Sequence, residues 1–206
     1  MCGLWLFSFR MRLTELAQIR VGRAVRPGET VIDATVGNGH DTVFLANCVG
    51  EGGRVVGFDI QERALELTRC RLLENGIPLE RVSLLSRGHE FMGECVTGPA
   101  GAVMFNLGYL PGGDHSITTQ TAGTVSALEQ AWKLLRPGGL ISMLCYRGHP
   151  GALDETNAVR RWLETFPKSS PDGPPDRKAS ITGPSRLRDE SEDGPVLYTL
   201  RKAEED

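Results

Sequence analysis

Cysteine is scarce in this sequence, and its spacing indicates no recognisable site. The five cysteines form no Cys-x-x-Cys pair and are odd in number: Cys2, Cys48, Cys70, Cys95 and Cys145. Zinc sites and disulfide frameworks need closely spaced or even-numbered cysteines. The pattern therefore argues against a disulfide-rich secreted scaffold, indicates no metal site, and favours a cytoplasmic protein with reduced thiols.

Long apolar runs and a dominant charge are also missing. The apolar stretch from Met1 to Phe9 is far too short to cross a bilayer, and no basic flank precedes it and no cleavage pattern follows it. The 23 Lys and Arg residues nearly balance the 26 Asp and Glu residues, which leaves a formal net charge of −3. We therefore expect no membrane partner, and a nucleic acid would have to be held by a local patch.

A length of 206 residues suits a single domain, 1–206, with one sizeable core. We expect residues 1–11 to form an N-terminal extension. Residues 167–195 are rich in Pro, Ser, Gly and charge, so we predict irregular and partly flexible chain there, apart from a short strand over 178–182. A final strand is predicted over 195–201.

The stretch 30–45 is the one around which the rest of the chain is organised. Val31 and Ile32 are typical of the end of a buried parallel strand. Gly37 and Gly39 follow, and glycines there let the chain turn sharply and a ligand approach the start of the next helix. Because Thr42 replaces the third glycine of the dinucleotide fingerprint, a pyrophosphate site is disfavoured.

A second acid completes this pattern. Asp33 ends the first strand, and Asp59 ends the next, twenty residues beyond Gly39, where α/β folds place the carboxylate that accepts from ribose hydroxyls. Two acids at strand ends, a glycine turn and no phosphate-loop lysine resemble the S-adenosylmethionine site of class I methyltransferases. The alternative is an ordinary strand-to-helix turn with a solvated aspartate.

Hydrophobic periodicity supplies the other elements. Helices are predicted over 12–25, 40–48, 61–74, 118–135 and 154–166, and further strands over 54–59, 82–85, 102–105 and 140–145. The helical pattern counts Ile19, Leu67 and Leu73 among the apolar positions and places Trp132 in the core. These elements predict an α/β fold, with a seven-stranded, mostly parallel sheet, helices on both faces and an antiparallel edge. The resemblance of the glycine turn and its two acids implies that this fold is the Rossmann-like class I methyltransferase fold.

The loop after the fourth strand carries the second candidate site. In the run NLGYLPGGDH, which begins at Asn106, the residues resemble the Asn/Asp-Pro-Pro-Tyr motif of amino-methylating enzymes, with Leu107 and Gly108 in place of the prolines. An amide oxygen can orient the N–H groups of an attacking amine, while Tyr109 covers a base. A glycine and proline turn with a capping asparagine is the alternative. Tyr146 and His149, in the loop after the fifth strand, belong to the same face.

Taken together, these motifs are similar to a known family. In order, VIDATVGNGHDTVFLA, VVGFDIQERAL, GHE, VMFNLGYLPGGDHSITT, LRPGG and YRGHPG closely resemble the bacterial rRNA methylase family whose characterised members are tRNA 5-aminomethyl-2-thiouridine methyltransferases. The likeness covers roughly 13–163. It implies methyl transfer from S-adenosylmethionine to the aminomethyl nitrogen of the modified wobble uridine in the tRNA anticodon loop.

The resemblance also implies roles for individual residues. The cofactor side comprises Asp33, Thr35, Gly37, Asn38, Gly39, Asp41, Thr42, Asp59, Ile60, Gln61, His89 and Asn106. The catalytic residues would be Asn106, Tyr109 and Asp114, with Asp114 or His115 as the group that takes the amine proton. The acceptor would be bound by Leu107, Gly108, Pro111, His115, Tyr146 and His149.

Two departures and several alternatives remain. His115 stands where the family usually has lysine, and the segment 182–189 differs from the family's approach to the last strand, which leaves open its part in RNA binding or in a homodimer. A methyltransferase acting on a small-molecule amine or on rRNA fits the same cofactor residues. A silent cofactor-binding subunit fits the sheet but not an intact NLGYLPGG loop.

Overall fold

Seven strands form one twisted sheet in a computed structural model, which describes residues 11–113, 116–166, 178–186 and 194–204. The strand order is β3-β2-β1-β4-β5-β7-β6. The first five strands pair in parallel, whereas β7 runs antiparallel to both of its neighbours. The strands are β1 Thr30–Asp33, β2 Arg54–Asp59, β3 Val82–Ser86, β4 Ala100–Leu107, β5 Leu135–Cys145, β6 Ala179–Ser185 and β7 Val196–Lys202. This arrangement confirms the predicted fold class.

Helices cover both faces of the sheet because neighbouring residues of each strand point to opposite sides. Val31 packs into one hydrophobic cluster with side chains of α1 and α2, while Ile32 packs into a second cluster with side chains of α5 and α6. Trp132 lies in the second cluster, as predicted. The helices are α1 Leu13–Gly22, α2 His40–Val49, α3 Glu62–Glu74, α4 Met92–Cys95, α5 Thr121–Leu134 and α6 Ala152–Glu164.

Some predicted boundaries and apolar positions were wrong. Asn106 and Leu107 belong to strand β4 rather than to the following loop, because their pairing with Leu144 and Cys145 continues the ladder with β5. Three of the expected apolar positions are instead largely exposed: Ile19, Leu67 and Leu73. Helices α1 and α3 bury narrow stripes, so an apolar residue at near-helical spacing can still face solvent.

The segment predicted as irregular contains strand β6, which extends three residues beyond the predicted strand. Residues 1–10, 167–177 and 187–193 lie outside the described residues, and so do Asp114 and His115. Within the described part of the chain, no helix is both long and apolar enough to span a bilayer. The same residues contain no cluster of histidine, cysteine and acidic side chains that could hold a metal ion.

Candidate functional site

Asp33 lies beneath the glycine loop rather than on its surface. Its side chain is fully buried, and it accepts hydrogen bonds from the Thr42 hydroxyl at 2.6 Å and from the Thr35 amide at 3.2 Å. Burial, followed by repulsion from Asp41, raises the pKa of Asp33 to about 7. The carboxyl group therefore fixes the loop from below and carries its negative charge at some energetic cost.

Asp59 joins the glycine loop to the start of α3. One carboxylate oxygen accepts from the Gly37 amide at 2.9 Å, and the other accepts from the Gln61 amide at 2.9 Å. Burial raises the pKa of Asp59. Each oxygen retains a further lone pair, so this partly exposed carboxylate can still accept from a ligand hydroxyl. Ile60 follows it with 60% of its surface exposed and offers an apolar platform beside the acid.

The glycine loop is held by helix α3. Gly39 adopts a left-handed conformation with φ 78°, and a Cβ atom there would lie only 2.5 Å from the Thr68 hydroxyl oxygen. Arg71 donates from Nε to the Asn38 carbonyl at 2.7 Å, and the Asn38 side chain donates to the Pro111 carbonyl at 3.3 Å. The last contact links the first loop of the site to the loop that follows β4.

His89 lies against the same loop from the β3 side. It is buried, and its Nδ1 atom lies 3.1 Å from the Ala34 carbonyl oxygen. Since a carbonyl only accepts, this contact assigns the proton to Nδ1. Burial lowers the pKa of His89, which favours the neutral ring. The ring also meets Phe105 edge to face, with 5.7 Å between centroids.

Asn106 is oriented by a hydrogen-bonded chain that runs from Gln18 through Asp41 to its own amide group. Its amide nitrogen Nδ2 donates to Asp41 Oδ2 at 2.6 Å, and Gln18 Nε2 donates to Asp41 Oδ1 at 2.7 Å. Because a carboxylate accepts only, the Asn106 nitrogen must face Asp41, and its Oδ1 atom points away. The Asn106 backbone amide donates to the Thr35 hydroxyl at 2.7 Å, which places the residue beside the glycine loop.

The loops after β4 and β5 lie side by side. The Tyr146 amide donates to the Leu107 carbonyl at 3.0 Å, and a Cβ atom on Gly108 would lie 3.3 Å from Tyr146 Cβ. Tyr109 meets His149 edge to face, with 6.1 Å between ring centroids. Burial, followed by the charge of Asp41, raises the pKa of Tyr146 and keeps its phenol protonated. The two loops thus meet next to Asp41 and Asn106.

Two contributors to the site were missed by the sequence reasoning. Gln18 belongs to α1 and reaches Asp41 across 23 positions of sequence. Glu155, in the first turn of α6, is buried and accepts from the hydroxyls of Thr119 at 2.7 Å and Thr124 at 2.6 Å. An acid in a helical first turn has an ordinary dipole explanation, and nothing local indicates that Gln18 faces an aspartate.

The structure thus brings together the described residues that the sequence predicted for both sides of the site. Buried Asp33 and Thr42 support the loop from below together with half-buried Thr35. Asp59 and Gln61 form the second acid turn, and Asn106, Tyr109 and Tyr146 form the opposite side. Asp114 and His115 fall outside the described residues.

Comparisons with known proteins find a matching family and several relatives. The family model described as "Putative rRNA methylase" matches residues 55–172. A solved protein of the same description from Clostridium thermocellum is 36% identical, with a TM-score of 0.82 over 93% of this chain and 98% of that chain. A Streptococcus mutans protein, titled a putative methyltransferase and solved in complex with SAH, is 31% identical, with a TM-score of 0.78 and the same coverage.

A curated relative is more similar still in sequence. The chloroplastic tRNA (mnm(5)s(2)U34)-methyltransferase of Arabidopsis thaliana is 42% identical over 170 residues, which represent 78% of this chain and 62% of the relative. The chain thus spans about three fifths of that relative's length.

Fold and similarity together define a class I methyltransferase, a class that uses S-adenosylmethionine as its methyl donor. The chain belongs to the family described as "Putative rRNA methylase".

The residues of the site fit such a donor. Its sulfonium and ammonium groups are cationic. Burial raises the pKa of Asp33, and the negative charges of Asp41 and Asp59 raise it further. A cation at this place would relieve that repulsion. The left-handed glycines keep the loop free of side-chain atoms, and Asp59 and Ile60 offer an acceptor and an apolar surface side by side.

Proposed function

We propose that this protein transfers a methyl group from S-adenosylmethionine to the aminomethyl nitrogen of 5-aminomethyl-(2-thio)uridine at the wobble position of tRNA. The observation that carries the proposal is the orientation of Asn106. Its Nδ2 atom is bound by Asp41, so its carbonyl oxygen is directed elsewhere and remains available as an acceptor for the N–H groups of an amine.

The cofactor side of the proposal assigns three kinds of contact. Asp59 accepts from ribose hydroxyls, the Gly37 to Gly39 turn allows close approach of the backbone, and Ile60 packs on the base, with His89 nearby. Asp33, Thr35 and Thr42 hold this surface in place from within. When bound, S-adenosylmethionine supplies a methyl group on a positively charged sulfur.

The acceptor side must deliver an amine with a free lone pair. An alkylamine resembles lysine and is mostly protonated at neutral pH, so the proton has to leave before attack. Transfer out of water lowers the pKa of the amine, and we assign the proton to Asp114 or His115, directly or through water. Asn106 then orients the neutral nitrogen, while Tyr109, Tyr146 and His149 flank the base. Correct orientation alone can contribute several kcal/mol.

The comparisons favour tRNA over rRNA as the acceptor. The family description names rRNA, whereas the relative with 42% identity over 78% of this chain is a tRNA methyltransferase named for a modified uridine. An amine acceptor also suits the Asn106 geometry better than a ring carbon, which presents no N–H group. A cytoplasmic location remains a prediction from the cysteine pattern, and a homodimer remains a hypothesis.

A labelling experiment tests the proposal. The protein is incubated with methyl-labelled S-adenosylmethionine and with total tRNA from cells that lack this methyl group, and the tRNA is digested to nucleosides. We expect label in the methylaminomethyl-uridine nucleoside alone. Parallel reactions contain rRNA, or a small amine without RNA, in place of tRNA. Label only in one of these reactions would contradict the tRNA assignment. Calorimetry with the donor and its demethylated product provides an independent check of cofactor binding.

A further inference from the structure

A positively charged pocket lies away from the methyl-transfer site, between α1 and the edge of the sheet. It has a volume of about 210 Å³, and Leu140 contributes to its wall. Six polar side chains line the rest of this arginine pocket: Arg20, Arg23, Arg201, Ser180, Thr182 and Thr199. None of them takes part in the site described above.

The pocket follows from the alternation of β7. Val196, Tyr198 and Leu200 face the hydrophobic cluster under α6, so Thr199 and Arg201 face the α1 side. Strand β6 adds Ser180 opposite Arg201 and Thr182 opposite Thr199. The polar residues of both strands therefore share the face on which α1 lies.

Helix α1 and its C-terminal cap residue add the remaining charges. Arg20 and Arg23 are three residues apart, so they lie on one side of the helix. Arg20 donates to the Ser185 hydroxyl at 3.0 Å and to the Thr199 hydroxyl at 3.5 Å, which fixes its guanidinium over β7. Arg20 is therefore half-buried, whereas Arg23 is exposed.

The charge of Arg20 has no acidic partner in the described residues. Its guanidinium is partly buried, which lowers the pKa of Arg20, and its contacts there are hydroxyl groups. Arg23 likewise forms no ion pair within the described ranges, whereas Arg201 lies 3.7 Å from exposed Glu204. A pocket with three guanidinium groups and this one acid keeps a positive charge, in a chain whose net charge is −3.

This combination of groups matches phosphate. The planar fork of arginine binds phosphate oxygens in pairs, and serine and threonine hydroxyls are common partners of nucleic-acid backbones. Leu140 lies four residues before Leu144, which pairs with Asn106, so the pocket is about 13 Å from the acceptor asparagine along β5. That separation corresponds to a few nucleotides of RNA.

We propose that the arginine pocket binds a phosphate of the RNA backbone while the target nucleotide occupies the site at Asn106. The inference rests on the proposed function, since it requires an RNA acceptor. Helix α1 with its C-terminal cap then serves both parts of the RNA, because Gln18 supports the acceptor side and Arg20 and Arg23 hold the backbone.

Salt dependence of RNA binding tests the pocket. Binding of a tRNA anticodon stem-loop is measured between 50 and 300 mM salt for the wild type and for Arg20→Gln combined with Arg23→Gln. We expect about tenfold weaker binding near physiological salt and a slope of log K against log salt that is smaller by roughly one per arginine. The matched control is Arg160→Gln with Arg161→Gln, which removes the same charge from exposed positions of α6 on the other face.

A second variant distinguishes a loss of pocket function from a loss of folding in the double arginine variant. Ser180→Asp adds a negative charge at an exposed pocket position whose side chain makes no hydrogen bond in the described structure. We expect it to weaken RNA binding and raise KM for tRNA, with kcat and calorimetric binding of S-adenosylmethionine unchanged. Inorganic phosphate is titrated separately to detect a site for the free anion.

The outcomes separate the two proposals. If the pocket variants match the α6 control in slope and affinity, the pocket inference is wrong, even if methyl transfer to tRNA is observed. Phosphate binding with unchanged RNA slopes would also overturn it. If RNA binding depends on the pocket but no label reaches the aminomethyl-uridine nucleoside, the inference that the pocket binds RNA is supported and the proposed acceptor is wrong.

Discussion

The two halves of the site differ in how completely their polar groups are hydrogen-bonded within the protein. In the cofactor half, after β1 and β2, both carboxylate oxygens of Asp33 and of Asp59 have donors. In the acceptor half, after β4 and β5, Tyr109 and Tyr146 are each 38% exposed, and the buried Nε2 atom of His149 has no hydrogen-bond partner among the described residues. The first half is formed in advance, whereas the second keeps hydrogen-bonding capacity for a substrate.

This contrast predicts that the halves respond differently to mutation. The largest effect is expected for Asn106→Ala, since it removes the oxygen that we propose orients the amine. We expect kcat to fall about a thousandfold, or about 4 kcal/mol in the barrier, with the unfolding midpoint nearly unchanged.

Single-turnover methyl transfer at saturating tRNA measures this change, with calorimetry to confirm cofactor binding. Unchanged turnover with intact cofactor binding would contradict the assignment of Asn106 to the acceptor side. It would also contradict the proposed difference between the two halves.

A pH effect on stability is expected in the cofactor half. The native pKa of Asp33 is about 7, against 3.8 for the ordinary carboxyl, so between pH 4 and 7 the folded state holds more protons than the unfolded state. Its contribution to the free energy of unfolding therefore falls as pH rises through this window, by up to about 4 kcal/mol.

Urea unfolding of the wild type and of Asp33→Asn from pH 4 to 8 measures the contribution of Asp33 to the free energy of unfolding. Asparagine does not titrate, so the difference in stability between the two proteins should change across the window. Parallel pH profiles would show that Asp33 is not the buried acid responsible.

Gly39→Ala probes the glycine loop. A left-handed φ combined with a Cβ atom 2.5 Å from the Thr68 hydroxyl oxygen should lower the free energy of unfolding by about 3 kcal/mol. The matched control is Gly28→Ala, whose φ is also positive but whose Cβ would have no neighbour within 4 Å.

Chemical denaturation should therefore show a loss of about 1 kcal/mol for the control, from the backbone alone. Equal losses in both variants would mean that the loop tolerates the extra atom and is less rigid than the contacts suggest.

The smallest effect is expected from Gln18→Ala. The variant removes one of two side-chain donors to Asp41, so Asn106 is held less firmly, and we expect kcat to fall about fivefold, or about 1 kcal/mol. Ile19→Ala, on the exposed side of the same helix, serves as the control.

Steady-state kinetics at saturating donor and tRNA measures this effect. A fall in kcat of equal size in the control would assign the loss to helix α1 in general rather than to the contact with Asp41.

Local patterns predicted the cofactor half better than the acceptor half. Strand β2 has the predicted bounds, and Asp33, Gly37, Gly39 and Asp59 meet as expected, because strand ends and glycine turns are encoded by adjacent residues. Asn106 was placed in a loop because its polarity ends the apolar run, although the β5 ladder continues past it. Gln18, Glu155 and the partners of Arg20 depend on contacts between distant segments, which periodicity does not record.

The order of strands in the sheet has a consequence for biosynthesis. Strand β7 comes last in sequence among the described strands, yet it lies between β5 and β6 and supplies the partner for residues 140–145 on the outer edge of β5. Until Val196 to Lys202 leave the ribosome, β5 presents an open ladder of amide and carbonyl groups. A nascent or truncated chain that stops before this segment is therefore expected to aggregate, with every residue of the methyl-transfer site already made.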